Sequence, residues 1–523
     1  MMAGLVLGLG AALLFLLTYT YLARLSSILQ STPEAVRKVS PTRWTKEELR
    51  QTYQRLEKSP ITIKSYANRI PHKLDRRYII TGGSGLVGGY IVLQLLERGQ
   101  SPESIRIVEF RPLNRADMLN GPASTVDFVK TDISSAESTN KAFEKPWPSS
   151  VANLPLTVFH TAAIIVPSDR SKLVYGTCES VNVRGTQNVL NAARKAGADV
   201  LVSTSSGGVS IRPIELWISP LKLLLSPKSH PPEMKNYLQV MDEKDFFEPP
   251  RKHEEHFANY AVSKARAERI VCGANSPELR TGSIRPANGV YGQPGDNTLG
   301  GALAMGDCPT WCPHIIQPFV HGINVAIAHL DYEAVLAANP KAPQAGRPFM
   351  ITDPNPPISY LDMYEAIETL STTPFKLIRL PPLAMWFLSY IVEWYSLLPV
   401  KHPFLRRILP ELKGDLKHLK PGLFSVTTHM VATNENASRS VDEGGLGYTG
   451  VVTTLEGMVQ EIAEWNIEHK GERRAKKFQT SISFAEEIAK AAEAAGVMEK
   501  LELLDRGYEV SLKTRALAFK DEV

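Results

Sequence analysis

A chain of 523 residues with 43% hydrophobic and 22% charged residues is long enough for more than one domain and has the balance of a globular protein. Its net charge of +5 is mild over that length, and no basic run is interleaved with aromatics, so nothing calls for nucleic acid. Cys178, Cys272, Cys308 and Cys312 are too few for a disulfide scaffold and suit a reducing compartment. The close pair Cys308 and Cys312 has no second ligand pair at metal-site spacing, so no metal is expected.

Residues 3–23 hold no charged side chain and are about as long as a bilayer-spanning helix must be. A cleaved secretory signal is the competing reading, but it wants a basic leading region and a shorter apolar core. Here nothing basic precedes the run, while Arg24, Arg37, Lys38, Arg43 and Lys46 follow it. An uncleaved transmembrane anchor over 1–25 is expected, with the N-terminus lumenal and the body cytosolic. The sequon Asn436-Ala437-Ser438 would then stay unmodified. Residues 26–74, polar and charged, read as a juxtamembrane stalk.

At Tyr78 the pattern changes. Tyr78-Ile79-Ile80 is a buried-strand sequence, and Leu86, Val87, Tyr90, Ile91, Leu93, Leu95 and Leu96 recur at helical spacing up to Arg98-Gly99. Between them stand Gly82, Gly85 and Gly88. Glycines there permit a tight turn, close approach of a pyrophosphate and close helix–strand packing, and the helix N-terminus offers N–H groups to phosphates. A second strand over 105–108 ends in Glu109, where a dinucleotide fold places the carboxylate for the adenosine ribose. Strand, glycine loop, helix, strand and acid in that order predict dinucleotide binding.

Strand–helix alternation continues as a parallel α/β sheet would require. Strands are expected at 126–129, leading to Asp132, and at 156–160, leading to Ala162 and Ala163. A helix is expected over 181–196, then strands over 200–202, opening into Ser203-Thr204-Ser205-Ser206, and over 281–284. Residues 211–253 look like an insertion with an apolar patch at 216–225, looping out toward a substrate mouth or a membrane. Residues 380–399 are too aromatic for a plain core helix. They suggest a monotopic helix in a membrane surface, with a buried helix of the substrate lobe as the alternative. The tail over 466–523 is charged, helix-prone at 484–495, and carries no catalytic signature.

The chemistry centres on Tyr260-Ala261-Val262-Ser263-Lys264, which puts Tyr260 and Lys264 one helical turn apart. Hydride transfer at a carbonyl needs a proton moved at its oxygen, and a phenol with a pKa near 10 is a poor base at neutral pH. The Lys264 ammonium would lower that pKa and could also bond the nicotinamide ribose. A hydroxyl from the end of the fifth strand would hold the substrate oxygen, Ser206 being preferred and Ser205 the second choice.

Several stretches in this order resemble the extended short-chain dehydrogenase/reductase superfamily: Thr81-Gly82-Gly83-x-Gly85-x-x-Gly88, His160-x-Ala162-Ala163, Asn182-Val183-x-Gly185-Thr186, Ser205-Ser206-x-x-Val209, Tyr260-x-x-x-Lys264 and Arg285-Pro286 with Val290-Tyr291-Gly292. Phe319-Val320-His321-Gly322 and Gly346-Arg347-Pro348-Phe349 narrow the likeness to the 3β-hydroxysteroid dehydrogenase branch, which includes the C4-decarboxylating sterol 3-dehydrogenases. The resemblance implies a Rossmann-type doubly wound parallel sheet with a small C-terminal substrate lobe, the dehydrogenase domain covering 75–465. It implies an NAD cofactor, with NADP second because Glu109 would repel a 2′-phosphate that Arg111 could hold. The cofactor would lie on Gly82, Gly85, Leu86, Val87, Gly88, Glu109, Asp132, Ala162, Tyr260 and Lys264. Tyr260 would be the acid/base, Lys264 its activator and Ser206 the oxygen clamp, with Asn182 supporting the active-site strand. The implied reaction oxidises a sterol or triterpenoid 3β-hydroxyl to a ketone, with loss of a C4 carboxylate as CO2 where one is present. The apolar anchor and patches would draw such a substrate from the bilayer, and the endoplasmic reticulum membrane is the expected location. A 3β-dehydrogenase/isomerase, a reductase of another lipid and a non-catalytic dinucleotide-binding scaffold stay open as alternatives, as does a homodimer.

Overall fold

The computed structural model describes residues 2–227, 231–412 and 414–470. The expected tail, including the helix at 484–495, lies outside the described residues from 471 onward.

Seven parallel strands form the central sheet: β1 (Arg77–Thr81), β2 (Ile105–Glu109), β3 (Asp127–Lys130), β4 (Leu156–His160), β5 (Ala198–Thr204), β6 (Arg280–Pro286) and β7 (Pro348–Ile351), in the order β7-β6-β5-β4-β1-β2-β3. Order reverses between β1 and β4, the switch point of a doubly wound fold. The central strands β1, β4 and β5 are mostly apolar because both faces are covered, whereas β6 carries Arg280, Thr281, Ser283 and Arg285. Tyr78 and Ile80 face one core with Ile91 and Leu95 of α3 (Leu86–Glu97) and Val325 of α7 (Gly322–Ala338). Ile79, Val108, Val158 and Leu201 face the other, with Ala142 of α4 (Ala136–Glu144) and Val189 of α5 (Gly185–Lys195). The remaining major helices are α1 (Met2–Leu29), α2 (Lys46–Lys58), α6 (Asn259–Gly273), α8 (Tyr360–Leu370), α9 (Pro382–Lys401) and α10 (Thr454–His469).

Residues 26–74, expected as a stalk, are part of the body. Thr45 caps α2 in a reciprocal capping box with Glu48, and Leu49 and Leu56 enter a core with Met363 and Ile367 of α8 and Met458, Ile462 and Trp465 of α10. Two buried leucines contribute about 1.5–3 kcal/mol each relative to exposure, which holds the segment down. Arg43 pairs with buried Asp362 at 2.5 Å, and Arg69 forks onto Asp331 at 2.7 and 3.0 Å.

The insertion does not loop out either. Its strand Leu238–Met241 pairs in parallel with His429–Ala432, and Asp245 accepts from Arg285 of β6 at 2.6 Å. Arg285 is 1% exposed and also forks onto Glu268 of α6, so the insertion is closed onto the sheet by charge as well as by backbone. Part of the expected patch is exposed, with Trp217, Leu221 and Leu225 facing outward. α9 covers the 380–399 segment. It buries Leu383, Met385 and Val392, exposes Phe387, Ile391 and Trp394, and pairs Glu393 with Arg170 at 2.7 Å.

Candidate active site

The dinucleotide loop forms as the glycines predict. Gly82 sits at φ +74°, and a Cβ on it would lie 2.7 Å from the Ala162 nitrogen. A Cβ on Gly88 would lie 2.3 Å from the Gly82 carbonyl oxygen. Side chains at either position would push α3 off the loop or block the approach of β4. Leu86 and Val87 form the first turn of α3, where backbone N–H groups point toward a ligand. Glu109 ends β2, its carboxylate accepting from the N–H groups of Phe110 at 2.7 Å and Arg111 at 3.3 Å. Asp132 follows β3 and accepts from the backbone and hydroxyl of Ser134 at 2.9 and 2.7 Å. Gly82, Glu109, Asp132 and Ala162 thus line the carboxyl edge of the sheet around its switch point. The cradle fits a dinucleotide.

Arg115 carries no signal in the local pattern, yet it fastens this loop. Its guanidinium donates to the carbonyls of Gly85 at 2.8 Å and Leu86 at 2.9 Å, pairs with Asp117 at 2.6 Å and lies 4.7 Å over the Tyr90 ring.

Below the loop, His160 is buried and its pKa is pushed down to about 3 by desolvation, so the ring is neutral. The Thr186 hydroxyl donates to the Asn182 carbonyl at 2.6 Å, so it accepts from His160 Nε2 at 2.9 Å. His160 Nδ1 then accepts from the Thr81 hydroxyl at 2.7 Å. This chain ties β1, β4 and α5 together beneath the cofactor cradle.

Ser206, Tyr260 and Lys264 come together at the ends of β5 and α6. Ser206 Oγ accepts from Gly208 N at 3.1 Å, fixing its rotamer, and neighbours the Tyr260 phenol. Burial pushes the Tyr260 pKa up, the Ser206 hydroxyl works against that shift, and Cys178 adds to it. Ser205 is buried with its hydroxyl unpaired, while its backbone N–H donates to Ile284. One difference from expectation concerns Lys264. Its Nζ donates to the Thr204 carbonyl at 2.5 Å, and burial lowers its pKa to about 8. The ammonium is held at the end of β5.

Asn182 braces α6. Its side chain bonds both backbone groups of Ile164, at 2.9 and 3.0 Å, and donates to Ser263 Oγ at 2.9 Å. Ser263 donates in turn to the Tyr260 carbonyl at 2.7 Å. Asn259, which no motif marks, is fully buried and pins the start of α6. Its backbone donates to Asp169 at 2.6 Å and its amide to Ser171 at 2.9 Å. The four cysteines are buried within the fold.

Sheet order, glycine loop and Tyr-x-x-x-Lys helix together define an extended short-chain dehydrogenase/reductase, an NAD-dependent oxidoreductase acting on CH–OH groups. A profile of the 3-beta hydroxysteroid dehydrogenase/isomerase family matches residues 79–213 and 239–381, more than half of the chain, and the chain belongs to that family. The break in the match falls inside the insertion, which on this measure covers 214–238. A second profile, described as male sterility protein, matches residues 150–304.

Among characterised relatives, the chain is 28% identical over 343 residues to sterol-4-alpha-carboxylate 3-dehydrogenase, decarboxylating, of Schizosaccharomyces pombe, covering 63% of this chain and 85% of that protein. It is 25% identical over 408 residues to 3beta-hydroxysteroid-dehydrogenase/decarboxylase isoform 1 of Arabidopsis thaliana, covering 74% and 79%. Among solved structures, the UDP-glucose 4-epimerase of Thermotoga maritima with UDP-glucose aligns at a TM-score of 0.47 and 16% identity, covering 75% of this chain and 99% of that one.

Proposed function

We infer that this protein is a membrane-anchored dehydrogenase that oxidises the 3β-hydroxyl of a sterol, steroid or triterpenoid to the 3-ketone. Where the substrate carries a C4 carboxylate, the product is a β-keto acid, which loses CO2 without needing a dedicated residue. The observation that carries this reading is the meeting of Ser206 and Tyr260 beside Lys264 at the carboxyl edge of the dinucleotide sheet, in a chain of this family.

Ser206 and Tyr260 would bracket the substrate oxygen, and the phenol would take its proton. When bound, NAD supplies the acceptor for the hydride leaving C3. Gly82, Gly85 and Gly88 admit the pyrophosphate to the N–H groups of Leu86 and Val87. Glu109 would receive the adenosine ribose hydroxyls, Asp132 would lie near adenine, and Ala162 would border the cofactor at the switch point. Lys264, with one donor on the Thr204 carbonyl, would offer another to the nicotinamide ribose. Asn182 and Asn259 are positioning residues that hold α6 in register.

α1 supports the anchor. It is apolar over its first turns and exposes Leu5, Leu9, Leu13 and Leu16. The basic residues after it favour a cytosolic body in the endoplasmic reticulum membrane. The exposed aromatic face of α9 supports contact with the same surface.

The test uses detergent-solubilised protein, NAD and two 3β-hydroxysterols, one with and one without a 4α-carboxyl group. NADH from the acid with loss of CO2 identifies a decarboxylating sterol 3-dehydrogenase. NADH from the simple sterol with no loss of CO2 identifies a plain 3β-dehydrogenase. No NADH from either, with NAD or NADP, overturns the sterol reading.

A further inference from the structure

Between α6 and the ends of β4 and β5 lies a small polar cavity of about 10 Å3, room for about one water. Lys264 and Glu268, one turn apart on α6, both line it, and both are buried. Ser205, just past the end of β5, lines it too.

Most of the wall has no bonding capacity to spare. His160 uses both ring nitrogens, on Thr81 and Thr186, and the Thr186 hydroxyl donates to the Asn182 carbonyl. The Ser203 hydroxyl is paired with that of Ser283 at 2.6 Å, and the Thr204 hydroxyl with His329 Nε2 at 2.8 Å. Three groups are left. The Ser205 hydroxyl is buried and has no partner among the described residues. Lys264 Nζ carries three donors, of which one serves the Thr204 carbonyl. The Glu268 carboxylate accepts from Arg285 at 2.8 and 2.6 Å, which leaves about half of its roughly four lone-pair sites open. A donor, an acceptor and a hydroxyl around a space of this size are what a bound water needs.

The charges point the same way. Lys264 is 6% exposed. His160 of β4 and His329 of α7 face it as neutral rings, their pKa values pushed down by burial to about 3 and about 4. Tyr260, one turn back, is a phenol whose pKa burial raises. Glu268 is the anion that acts on the ammonium, and it opposes the desolvation that would strip its proton. Cys272, one turn past Glu268, stays a thiol because burial pushes its pKa well up. Glu268 is itself held. Arg285 forks onto it from β6, Asp245 of the insertion pairs with Arg285 at 2.6 Å, and Arg251 pairs with Asp245 at 3.2 Å. A row of alternating sign thus runs from Lys264 to the insertion.

We propose that Glu268 is a positioning residue which, through one water shared with Ser205 in this cavity, holds the Lys264 ammonium charged and turned toward the nicotinamide ribose. The three donors of Lys264 then have one duty each: the Thr204 carbonyl, the water and the ribose. The proposal rests on the dehydrogenase reading above. It adds the residue that holds the lysine, and it gives the insertion a route to the active site through Asp245 and Arg285.

The experiment titrates Lys264 in the detergent-solubilised full chain without cofactor, by carbon-13 NMR of protein labelled at the lysine Cε. Loss of one resonance in Lys264→Arg assigns it. Glu268→Gln should lower the pH at which Lys264 titrates by about one unit or more, since an opposite charge is removed. The falling limb of kcat/KM, measured with NAD and a 3β-hydroxysterol, should move to lower pH with it. Glu268→Asp keeps the charge and should leave both within about half a unit of the unaltered protein. A merely structural role would lower the melting temperature of both variants and move neither titration, which overturns the proposal. Glu268→Gln leaves Arg285 without its partner. If it fails to fold, Glu268→Gln combined with Arg285→Gln removes both charges together, which a fold tolerates better. The Lys264 titration should still fall there, because the carboxylate lines the cavity and Arg285 does not. An unchanged titration overturns the proposal. The NMR readout needs no turnover, so it decides even where no NADH forms. A lowered Lys264 titration with a kcat/KM profile that ignores it would keep the role of Glu268 and remove the lysine from the reaction. A profile that follows Lys264 while Glu268→Gln moves neither would do the reverse.

Discussion

Lys264 Nζ lies 2.5 Å from the carbonyl oxygen of Thr204, the last residue of β5. The lysine one turn after Tyr260 therefore has a backbone partner, and the groups that act on Tyr260 are its burial, Ser206 and Cys178. The ammonium carries three N–H donors, so it can keep the Thr204 carbonyl and still offer a donor to a cofactor ribose.

That arrangement sets a pH limit. Burial lowers the Lys264 pKa to about 8, so the cation is present below that pH and lost above it. We expect kcat/KM for the alcohol to fall as pH rises through about 8, opposing the gain that ionisation of Tyr260 brings. A profile between pH 6 and 10, taken with saturating NAD, checks this. A rate that keeps climbing to pH 10 would contradict it.

Tyr260→Phe removes the hydroxyl that the proposed mechanism uses as proton acceptor while keeping the ring. Turnover should drop by about 10²–10⁴-fold, the usual share of acid/base catalysis. NAD affinity, measured by fluorescence titration, should change less than twofold. Equal activity of the variant would return the protein to the class of binding scaffolds.

Gly88→Ala places a methyl against the Gly82 carbonyl, 2.3 Å away. The first turn of α3 must then move away from the loop. NAD should bind at least tenfold more weakly, with a smaller loss in thermal stability, as read by calorimetry with and without cofactor. Gly176→Ala, where an added Cβ meets open space, is the control.

Arg69→Ala tests whether the segment before the sheet belongs to the domain. Asp331 is buried, and its pKa stays raised to about 6 even with Arg69 beside it, because desolvation outweighs the pairing. Removing the guanidinium leaves that carboxyl with no ionic partner. About 2–3 kcal/mol of stability should be lost at pH 7, somewhat under the range for a fully buried pair since Arg69 is partly exposed. Without the guanidinium that lowers it, the orphaned carboxyl titrates above the paired one, so the loss should shrink as pH falls toward 6 and level off below it. A free stalk would show no loss at any pH.

The parts of the fold that were legible are those written in short stretches. The apolar strand, glycine loop and period-3.6 helix of 78–99 lie within one local window, and Tyr260 and Lys264 occupy one turn of one helix. What was illegible depends on distant partners. The strand at 238–241 exists because 429–432 pairs with it, nearly two hundred residues away. α2 reads as a charged surface helix until α8 and α10 supply a wall for Leu49, Tyr53 and Leu56, whose spacing was the available signal. Arg115 and Asn259 act through backbone carbonyls of other segments, and no pattern around them announces that.

The Tyr21 hydroxyl donates to the Ile218 carbonyl at 3.0 Å and Arg24 to the Leu224 carbonyl at 2.8 Å, and these bonds between α1 and the insertion have a mechanical consequence. A domain hung on a flexible tether tumbles and samples every tilt, whereas one fastened along the last two turns of its anchor inherits the tilt of that helix. On the proposed reading its remaining freedom is spin about the membrane normal and lateral drift. Turnover should then follow the mole fraction of substrate among lipids, not its amount per volume of solution. Diluting the substrate with inert phospholipid at constant bulk concentration should slow the enzyme, and replacing residues 1–29 with an unrelated anchor on a glycine-serine tether should weaken that dependence.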